Sequence, residues 1–474
     1  MSQLVIRAPD KSASANEILR LLETVTGLWT AQVNNDGAIL DDKLADYVFF
    51  PLTHLLRNQD QYPVRVTEAC IRLLRELVQH GWKAKISQKL SQQLLIFLSL
   101  IIGGAPGQTS AREIPEETIL EAYRTLGPLL KSTASSALRA PATAEEQTIS
   151  ALGHSVTVVL DGLTGGLPPV IKLEALQCLQ VVYTSIQDNA LLARFLPGTV
   201  SSLSKLLSPP LAHKTQKRVI VSCLEVLNLV LVTVLGDLKV RGALKEMHNK
   251  TEVQVQPIEP EKESAETELT ASWLKATAAQ IKIALSAVLK LRNHESEEIQ
   301  SALNKFCISL LDECHSSLAD CQSILVESAM MVENEEVEKS MLQTSLQDLA
   351  GVYPELADSI KTTLYNWVTG LPRLMQSADD RVRQLAIRNI LRGTRLAAAM
   401  GMDSSMLNDS LGDALKDSIV SLVKGSKPTK VVDDIGADAI FLQAPHSSIH
   451  TCKHTIPFFS APRVKEPQEQ VSLS

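Results

Sequence analysis

The chain has 474 residues, 45% of them apolar and 21% charged, so it can form several domains or one extended array and is too apolar to remain unfolded. Aromatic residues make up only 4%, so the core must be aliphatic, which favours helices packed on helices over sheets. The formal net charge of −7 argues against nucleic acid or an anionic membrane as the partner, because both attract basic surfaces.

The N-terminal segment "MSQLVIRAPDKSASA" lacks a basic region followed by an apolar run, so we expect no secretory signal. Seven cysteines, an odd number without paired spacing, indicate small core residues in a reducing compartment rather than a disulfide framework. Two apolar runs, 94–102 and 219–235, are predicted to be buried helices. The first is too short for a bilayer, and Glu225 and Asn228 interrupt the second.

Apolar residues recur at helical spacing along nearly the whole chain, and no convincing run alternates as a strand does. Short stretches with proline or glycine interrupt this pattern. Because proline fits the first turn of a helix and is costly inside one, the punctuation predicts paired helices joined by short turns. The stretches "FFPLTHLL", "FLPGTV" and "GLPRLM" place such boundaries at Pro51, Pro197 and Pro372.

A weak internal repeat follows the same helices. An aliphatic residue, polar residues, a small residue and then leucine recur, with anchors at Val66, Ile119, Ile171, Val219, Ile299 and Val382. The intervals are 53, 52, 48, 80 and 83 residues, and the last two are close to double steps of a HEAT repeat of about 40–47 residues. The predicted fold is therefore all-α, an α-solenoid of HEAT-like repeats, in which stacking buries the apolar face that one hairpin leaves open.

Two segments depart from the repeat and divide the chain. Residues 249–272 carry six glutamates and little apolar content, which predicts an exposed acidic linker between helical blocks at 1–248 and 273–424. Residues 425–474 lose helical periodicity, so we expect a disordered C-terminal tail.

Adjacent carboxylates and spaced cysteines are the first candidates for chemistry. Asp379 and Asp380 precede an apolar helix and are predicted to cap it rather than to act as an acid–base pair. Cys307, Cys314 and Cys321 recur every seven residues, a spacing too wide for a metal site, and predict a small-residue seam on one buried helix face.

The tail run His446, His450, Cys452 and His454 is denser in ligand types but lacks a second ligand cluster, so zinc-dependent hydrolysis is kept only as a minor alternative. The sequence contains no nucleophile elbow, zinc-protease or kinase motif. We therefore predict a non-catalytic protein with no metal and no cofactor.

Four arginines in the stretch "LPRLMQSADDRVRQLAIRNILRG" and just beyond it are the candidate binding residues. Arg381, Arg388, Arg392 and Arg395 lie along one side of a helix, provided that the helix continues past Gly393. They form either a solvated outer face or a basic ridge that binds an acidic protein surface. Because no aromatic residues are interleaved, they do not predict a nucleic-acid site.

Four segments extend the interpretation to a family: "YVFFPLTHLLR" (47–57), "IKLEALQCLQVVY" (171–183), "FLPGTVSSLSKLL" (195–207) and "LPRLMQSADD" (371–380). In this order they resemble the Tel-two-interacting protein one family, the large HEAT-repeat subunit of the TTT co-chaperone complex. The resemblance runs from about residue 45 to about residue 395. Members of that family are typically about twice this length, and the tail resembles nothing in it.

The resemblance implies a protein-binding scaffold without an active site. It implies as partners the other helical-repeat subunits of the TTT complex, the heat-shock chaperone with its RuvB-like ATPases, and phosphatidylinositol-kinase-related kinases. These kinases serve DNA-damage, telomere and nutrient signalling, and the complex works in cytoplasm and nucleus. The alternative from the repeats alone is another HEAT-repeat scaffold, such as a nuclear transport receptor or a phosphatase regulatory subunit.

Overall fold

The computed structural model describes residues 14–35, 40–104, 114–137, 142–208, 211–252, 269–332, 345–377, 379–402 and 405–423. These residues are helical apart from short turns and contain no β-strand, which confirms the all-α prediction. The predicted tail, 425–474, lies outside the described residues, as do positions 253–268 of the predicted acidic linker.

The N-terminal helices, in chain order, are α1 (Ala15–Asn35), α2 (Asp42–Arg57), α3 (Val64–Glu76), α4 (Gln88–Gly103), α5 (Glu116–Ala137), α6 (Ala142–Thr164), α7 (Pro169–Ser185), α8 (Asn189–Leu207) and the short α9 (Leu211–Lys214). The helices that follow are α10 (Lys217–Leu235), α11 (Arg241–Glu252), α12 (Ala271–Val288), α13 (Glu297–Glu313), α14 (Gln322–Val332), α15 (Leu346–Val352), α16 (Pro354–Met375), α17 (Asp380–Ala399) and α18 (Ser405–Val423).

The helices stack in two layers, as in an α-solenoid. In the first layer α1, α3, α5, α7, α10 and α13 each pack against the next, and in the second α4, α6, α8 and α12 do the same. The layers are joined where α4 packs on α5, α6 on α7 and α8 on α10. Helix α14 packs on α13 and continues the array. Helices within these layers therefore have neighbours along their own layer and in the other one, which is how a repeat array buries an apolar face that no hairpin covers alone.

Helix α10 shows how the core is filled. Its fully buried residues include Val230, Leu231 and Val234, and the helix packs against α7, α8 and α13. Each fully buried aliphatic side chain of this kind contributes about 1.5–3 kcal/mol. Within the described residues, α10 alone is long and apolar enough to cross a membrane by length and composition, and its packing is that of a core helix.

Several predicted proline boundaries are wrong. Pro51 lies inside α2, Pro197 inside α8 and Pro372 inside α16, so none of them opens a helix. Each costs its helix one backbone hydrogen bond, and burial of the surrounding aliphatic residues outweighs that local cost. By contrast, Pro354 stands at the first position of α16, as the rule for proline predicts.

The long repeat intervals also have a different origin from the predicted double steps. Helix α10 packs directly on α13, so the interval of 80 residues is one step enlarged by α11 and the segment that follows it. Val382, the last anchor, lies on α17, which packs against α14 and α16 rather than on α13. The division into blocks at 249–272 stays a prediction, although helices from both sides of it pack together.

Candidate protein-binding surface

Helix α17, which carries the four candidate arginines, begins as the sequence predicts. The Oδ1 atom of Asp379 accepts a hydrogen bond from the backbone N–H of Arg381 at 2.8 Å, and Asp380 occupies the first turn and pairs with Arg383. Asp379 satisfies a backbone donor, and both carboxylates complement the positive end of the helix dipole. The capping interpretation of the acidic pair is confirmed.

Gly393 does not end this helix, which continues to Ala399. It lies on the buried side with Ala386 and Ile390, while Val382 and Leu385 are half-buried. A Cβ atom at position 393 would lie 2.8 Å from Cδ1 of Leu364, so glycine permits the close approach of α17 to α16. The arginines therefore lie on one continuous helix.

The four arginines do not share one role. Arg381, Arg388 and Arg395 are exposed, whereas Arg392 turns inward and donates from Nη1 to the backbone carbonyl of Met331 on α14. That carbonyl lies in the last turn of α14, where carbonyls lack an intrahelical partner and a cation is favourable. Arg392 therefore joins two helices, and partner binding by the other three arginines stays a prediction.

Two exposed aliphatic residues lie beside the arginines and were not predicted from the sequence. Ile387 is 42% exposed and Leu391 is 50% exposed, one turn apart on the side of α17 that faces solvent. We call Ile387, Arg388, Leu391 and Arg395 the outer face of α17. In the sequence these aliphatic residues formed a second apolar stripe, offset from the buried one that contains Ala386 and Ile390.

A chain of ion pairs, which was not predicted from the sequence, links α3, α5 and α7 of the first layer. Glu121 on α5 is 7% exposed; its carboxylate accepts from Arg75 of α3 at 2.8 Å and from Arg124 at 3.1 Å. Arg124 also donates to Glu174 of α7 at 3.1 Å. Burial opposes the charge of Arg124, but its hydrogen bonds to Glu174 and Glu121 outweigh that effect and raise its pKa.

Two grooves open between neighbouring helices of the first layer. The groove beside Arg75, Arg124 and Glu174 has a volume of about 780 Å³, and the other, between α10 and α13, has a volume of about 740 Å³. No short sequence motif predicts these grooves, because their walls come from helices about fifty residues or more apart in the chain.

The cysteine seam is not on one helix. Cys307 lies within α13, Cys314 is the residue that ends it, and Cys321 belongs to a following 3₁₀ turn. All three are buried, and desolvation raises the pKa of Cys321 to about 11 and that of Cys307 and Cys314 to about 12. The prediction of burial is confirmed and that of a single helical face is wrong, because the chain turns directly after Glu313.

His315, next to this seam, is buried in a contact between loops. Its Nε2 lies 3.0 Å from Oε2 of Glu355, and its ring stacks on Tyr353 with centroids 4.0 Å apart. Asp237, in the turn after α10, also contacts the loop of His315. Its carboxylate accepts from the backbone N–H groups of Ser316 and Ser317, each at 2.8 Å. These contacts join the turns that follow α10, α13 and α15.

Among the described residues, no three His, Cys, Asp or Glu side chains are grouped closely enough to hold a metal ion. The tail set His446, His450, Cys452 and His454 lies outside those residues. The described surface offers grooves and charged helix faces, whereas the loop contacts around His315 lie within the chain itself.

This architecture defines the class of the protein as an α-helical repeat protein of the scaffold type. Residues 5–336 match the family described as the TTI1 N-terminal TPR domain, and the chain belongs to that family. The resemblance found in the sequence is thereby confirmed for its N-terminal part. The family description names TPR repeats where the sequence predicted HEAT-like ones; both are stacked helical hairpins.

Two relatives show how far the similarity extends. The chain is 30% identical over 321 residues to "TEL2-interacting protein 1" of Saccharomyces cerevisiae, covering 63% of this chain and 31% of the relative. It is 24% identical over 385 residues to "TELO2-interacting protein 1 homolog" of Homo sapiens, covering 76% of this chain and 34% of that protein. The chain thus spans about a third of the length of these relatives.

Proposed function

We propose that this protein is a non-catalytic scaffold subunit of a TTT co-chaperone complex that supports the maturation and stability of phosphatidylinositol-kinase-related kinases. The observation that carries this proposal is the family match over residues 5–336. The yeast relative is named for its interaction with TEL2, which makes a TEL2-type subunit the first partner to test. Extended helical faces suit such a role, because they offer large contact areas without an enclosed active site.

The proposal extends to the wider partners and compartments that the resemblance implies. The protein would bring the kinases to the heat-shock chaperone and its RuvB-like ATPases, in cytoplasm and nucleus. The net charge of −7 argues against nucleic acid as a partner, and the exposed Arg388 and Arg395 favour an acidic protein surface.

The outer face of α17 is our proposed contact for one of these partners. Ile387 and Leu391 supply exposed apolar area, and Arg388 and Arg395 lie alongside them on the same helix face. An apolar centre with charged residues at its edge is the usual composition of a protein interface, and arginine is enriched there. A partner helix with aliphatic residues flanked by carboxylates would complement this face.

Affinity purification of the tagged chain from its native host tests both the scaffold role and the proposed contact through α17. We expect the wild-type chain to recover a TEL2-type protein and at least one kinase of this class. We expect I387S/L391S and R388E/R395E to recover less of one partner. The double variant V170S/I283S, which changes exposed aliphatic residues on α7 and α12, is the matched control and should behave as wild type.

The outcomes test the scaffold role and the contact through the outer face of α17 separately. Recovery of neither a TEL2-type protein nor any such kinase would overturn the scaffold role. Recovery that is normal and equal for all variants would retain that role and remove the outer face of α17 from it. Recovery of a small GTPase or a phosphatase catalytic subunit instead would favour the other classes of helical-repeat scaffold.

A further inference from the structure

The larger groove of the first layer is lined by more basic than acidic residues, although the chain as a whole is acidic. Its walls carry four basic side chains and two carboxylates, which are Arg75, Lys83, Arg124, Lys131, Glu76 and Glu174. The second groove has the opposite balance, with Arg218 and Lys305 against Glu225, Glu297 and Glu298. Glu121, which pairs with Arg75 and Arg124, reduces the excess in the first groove to one positive charge, while the second groove has an excess of one negative charge. An acidic ligand would therefore be attracted to the first groove rather than to the second.

The arginines of this groove are held in place before any ligand arrives. Arg75 donates from Nη1 to Glu121 and lies 3.5 Å from Glu76 through Nε. Arg124 donates from Nη1 to Glu121 and from Nε to Glu174. A guanidinium carries five N–H donors, and among the described residues the Nη2 groups of both arginines have no partner. These groups can donate to a carboxylate without reorganisation.

At the rim of the groove the backbone adopts two uncommon conformations. Helix α3 runs into a π-helical turn, Leu77–Trp82, and Lys83 follows it with φ of 52°. Within the described residues Lys83 is the one non-glycine residue with positive φ, and its side chain is exposed and forms no ion pair there. Such turns and strained residues concentrate at functional sites. The strained backbone conformation costs energy, and it is retained where it positions a side chain for function.

The groove is also lined by apolar residues, of which Pro128 and Val181 are half-buried while Val78 and Tyr123 are almost fully buried. Its volume of about 780 Å³ lies within the range of ordinary ligand sites. Accessible apolar residues beside basic groups fit a peptide with aliphatic and acidic side chains better than a bare anion.

We propose that the groove lined by Arg75, Lys83 and Arg124 binds a linear peptide segment of a partner, one that carries glutamate or aspartate beside aliphatic residues. Lys83 contacts a carboxylate at the rim, and the Nη2 groups of the two arginines contact further carboxylates inside. This surface is separate from the outer face of α17 and does not depend on the identity of the complex.

Fluorescence anisotropy with a short labelled peptide of alternating Glu and Leu tests the proposal on the full chain. We expect saturable binding that weakens as salt is raised. The variant K83E/K131E should weaken it by at least about tenfold, as expected for the loss of charge-assisted contacts. The variant R218E/K305E, which makes the same charge change in the second groove, should bind as wild type.

The variant K83G separates recognition from folding. Glycine adopts positive φ without strain, so the thermal midpoint of unfolding should stay the same or rise while peptide binding weakens. Unchanged peptide binding in K83G would show that Lys83 has only a structural role. A peptide with Lys in place of Glu should not bind.

Three results would overturn the proposal. The first is the absence of Glu/Leu peptide binding. The second is equal binding of the lysine peptide. The third is an equal loss of binding in K83E/K131E and R218E/K305E.

Discussion

Arg392 on α17 donates a hydrogen bond from its guanidinium to the backbone carbonyl of Met331, near the C-terminal end of α14. Carbonyls in the last turn of a helix lack intrahelical partners, and the dipole of α14 favours a positive charge there. A residue that the sequence placed on a binding ridge therefore connects two helices of the array.

Replacing Arg392 should separate its role from that of its neighbours. We expect R392A to lower the free energy of unfolding by about 1–3 kcal/mol, because the Met331 carbonyl loses a charged donor in a half-buried position. R388A, an exposed change on the same helix, should stay within about 0.5 kcal/mol of wild type. Urea unfolding followed by circular dichroism measures both, and an equal effect of the two substitutions would contradict the assignment.

Glu121 should be the most sensitive carboxylate of the first layer. It is buried and bonded to Arg75 and Arg124, so E121A removes one acceptor from each guanidinium. Both arginines are partly exposed and keep Glu76 or Glu174 as a second partner, so the cost should be about 1–3 kcal/mol. The matched control is E68A, which removes a half-exposed carboxylate paired with Arg72 one turn away and should cost about 0–1 kcal/mol. Chemical denaturation of the two variants gives the comparison, and similar midpoints would show that Glu121 is screened by solvent.

Gly162 and Tyr123 should be coupled. A Cβ atom at position 162 would collide with the hydroxyl of Tyr123, which is buried and has no hydrogen-bond partner among the described residues. G162A should destabilise the protein by about 1–3 kcal/mol through overpacking. Y123F removes the hydroxyl and should be neutral or stabilising, and it should recover most of the loss when combined with G162A.

A control for this pair is available on α8. A Cβ atom at Gly198 would meet Cδ1 of Leu160 at 3.6 Å, an ordinary contact, so G198A should stabilise its helix by about 0.5–1 kcal/mol. Thermal unfolding of the single and double variants measures the coupling. Additive effects of G162A and Y123F would contradict the predicted collision.

The six cysteines described by the structure should resist alkylation in the folded protein. They are buried, and desolvation raises their thiol pKa above the ordinary value of about 8.5. Mass spectrometry after iodoacetamide treatment should show slow labelling of Cys70, Cys178, Cys223, Cys307, Cys314 and Cys321 in buffer and rapid labelling in denaturant. Fast labelling of Cys307 in the folded state would show that α13 opens locally.

The same thiols predict how stability changes at alkaline pH. Above about pH 8.5 an unfolded thiol loses its proton, whereas Cys321 keeps its proton until its pKa of about 11. The native state then binds more protons than the unfolded state, so the free energy of unfolding should fall as pH rises through this window. The variant C321A should show a shallower fall.

Local patterns in the sequence were sufficient for the class of fold. The 3.6-residue apolar period predicted helices, and the anchors Val66, Ile171 and Val219 all prove to be buried residues of first-layer helices. The acidic pair before α17 capped its helix as predicted, because capping depends on residues within one turn of each other. The same order of short segments was sufficient to identify the family.

What the sequence alone determined is therefore the helical periodicity, the capping of individual helices and the family. The tertiary structure decided which of four periodic arginines points inward, which prolines remain inside helices, and that α10 meets α13 across an insertion. It also brought Arg75, Glu121, Arg124 and Glu174 together from three helices. The physical reason is that these outcomes depend on burial and on partners distant in the chain, which no local pattern records.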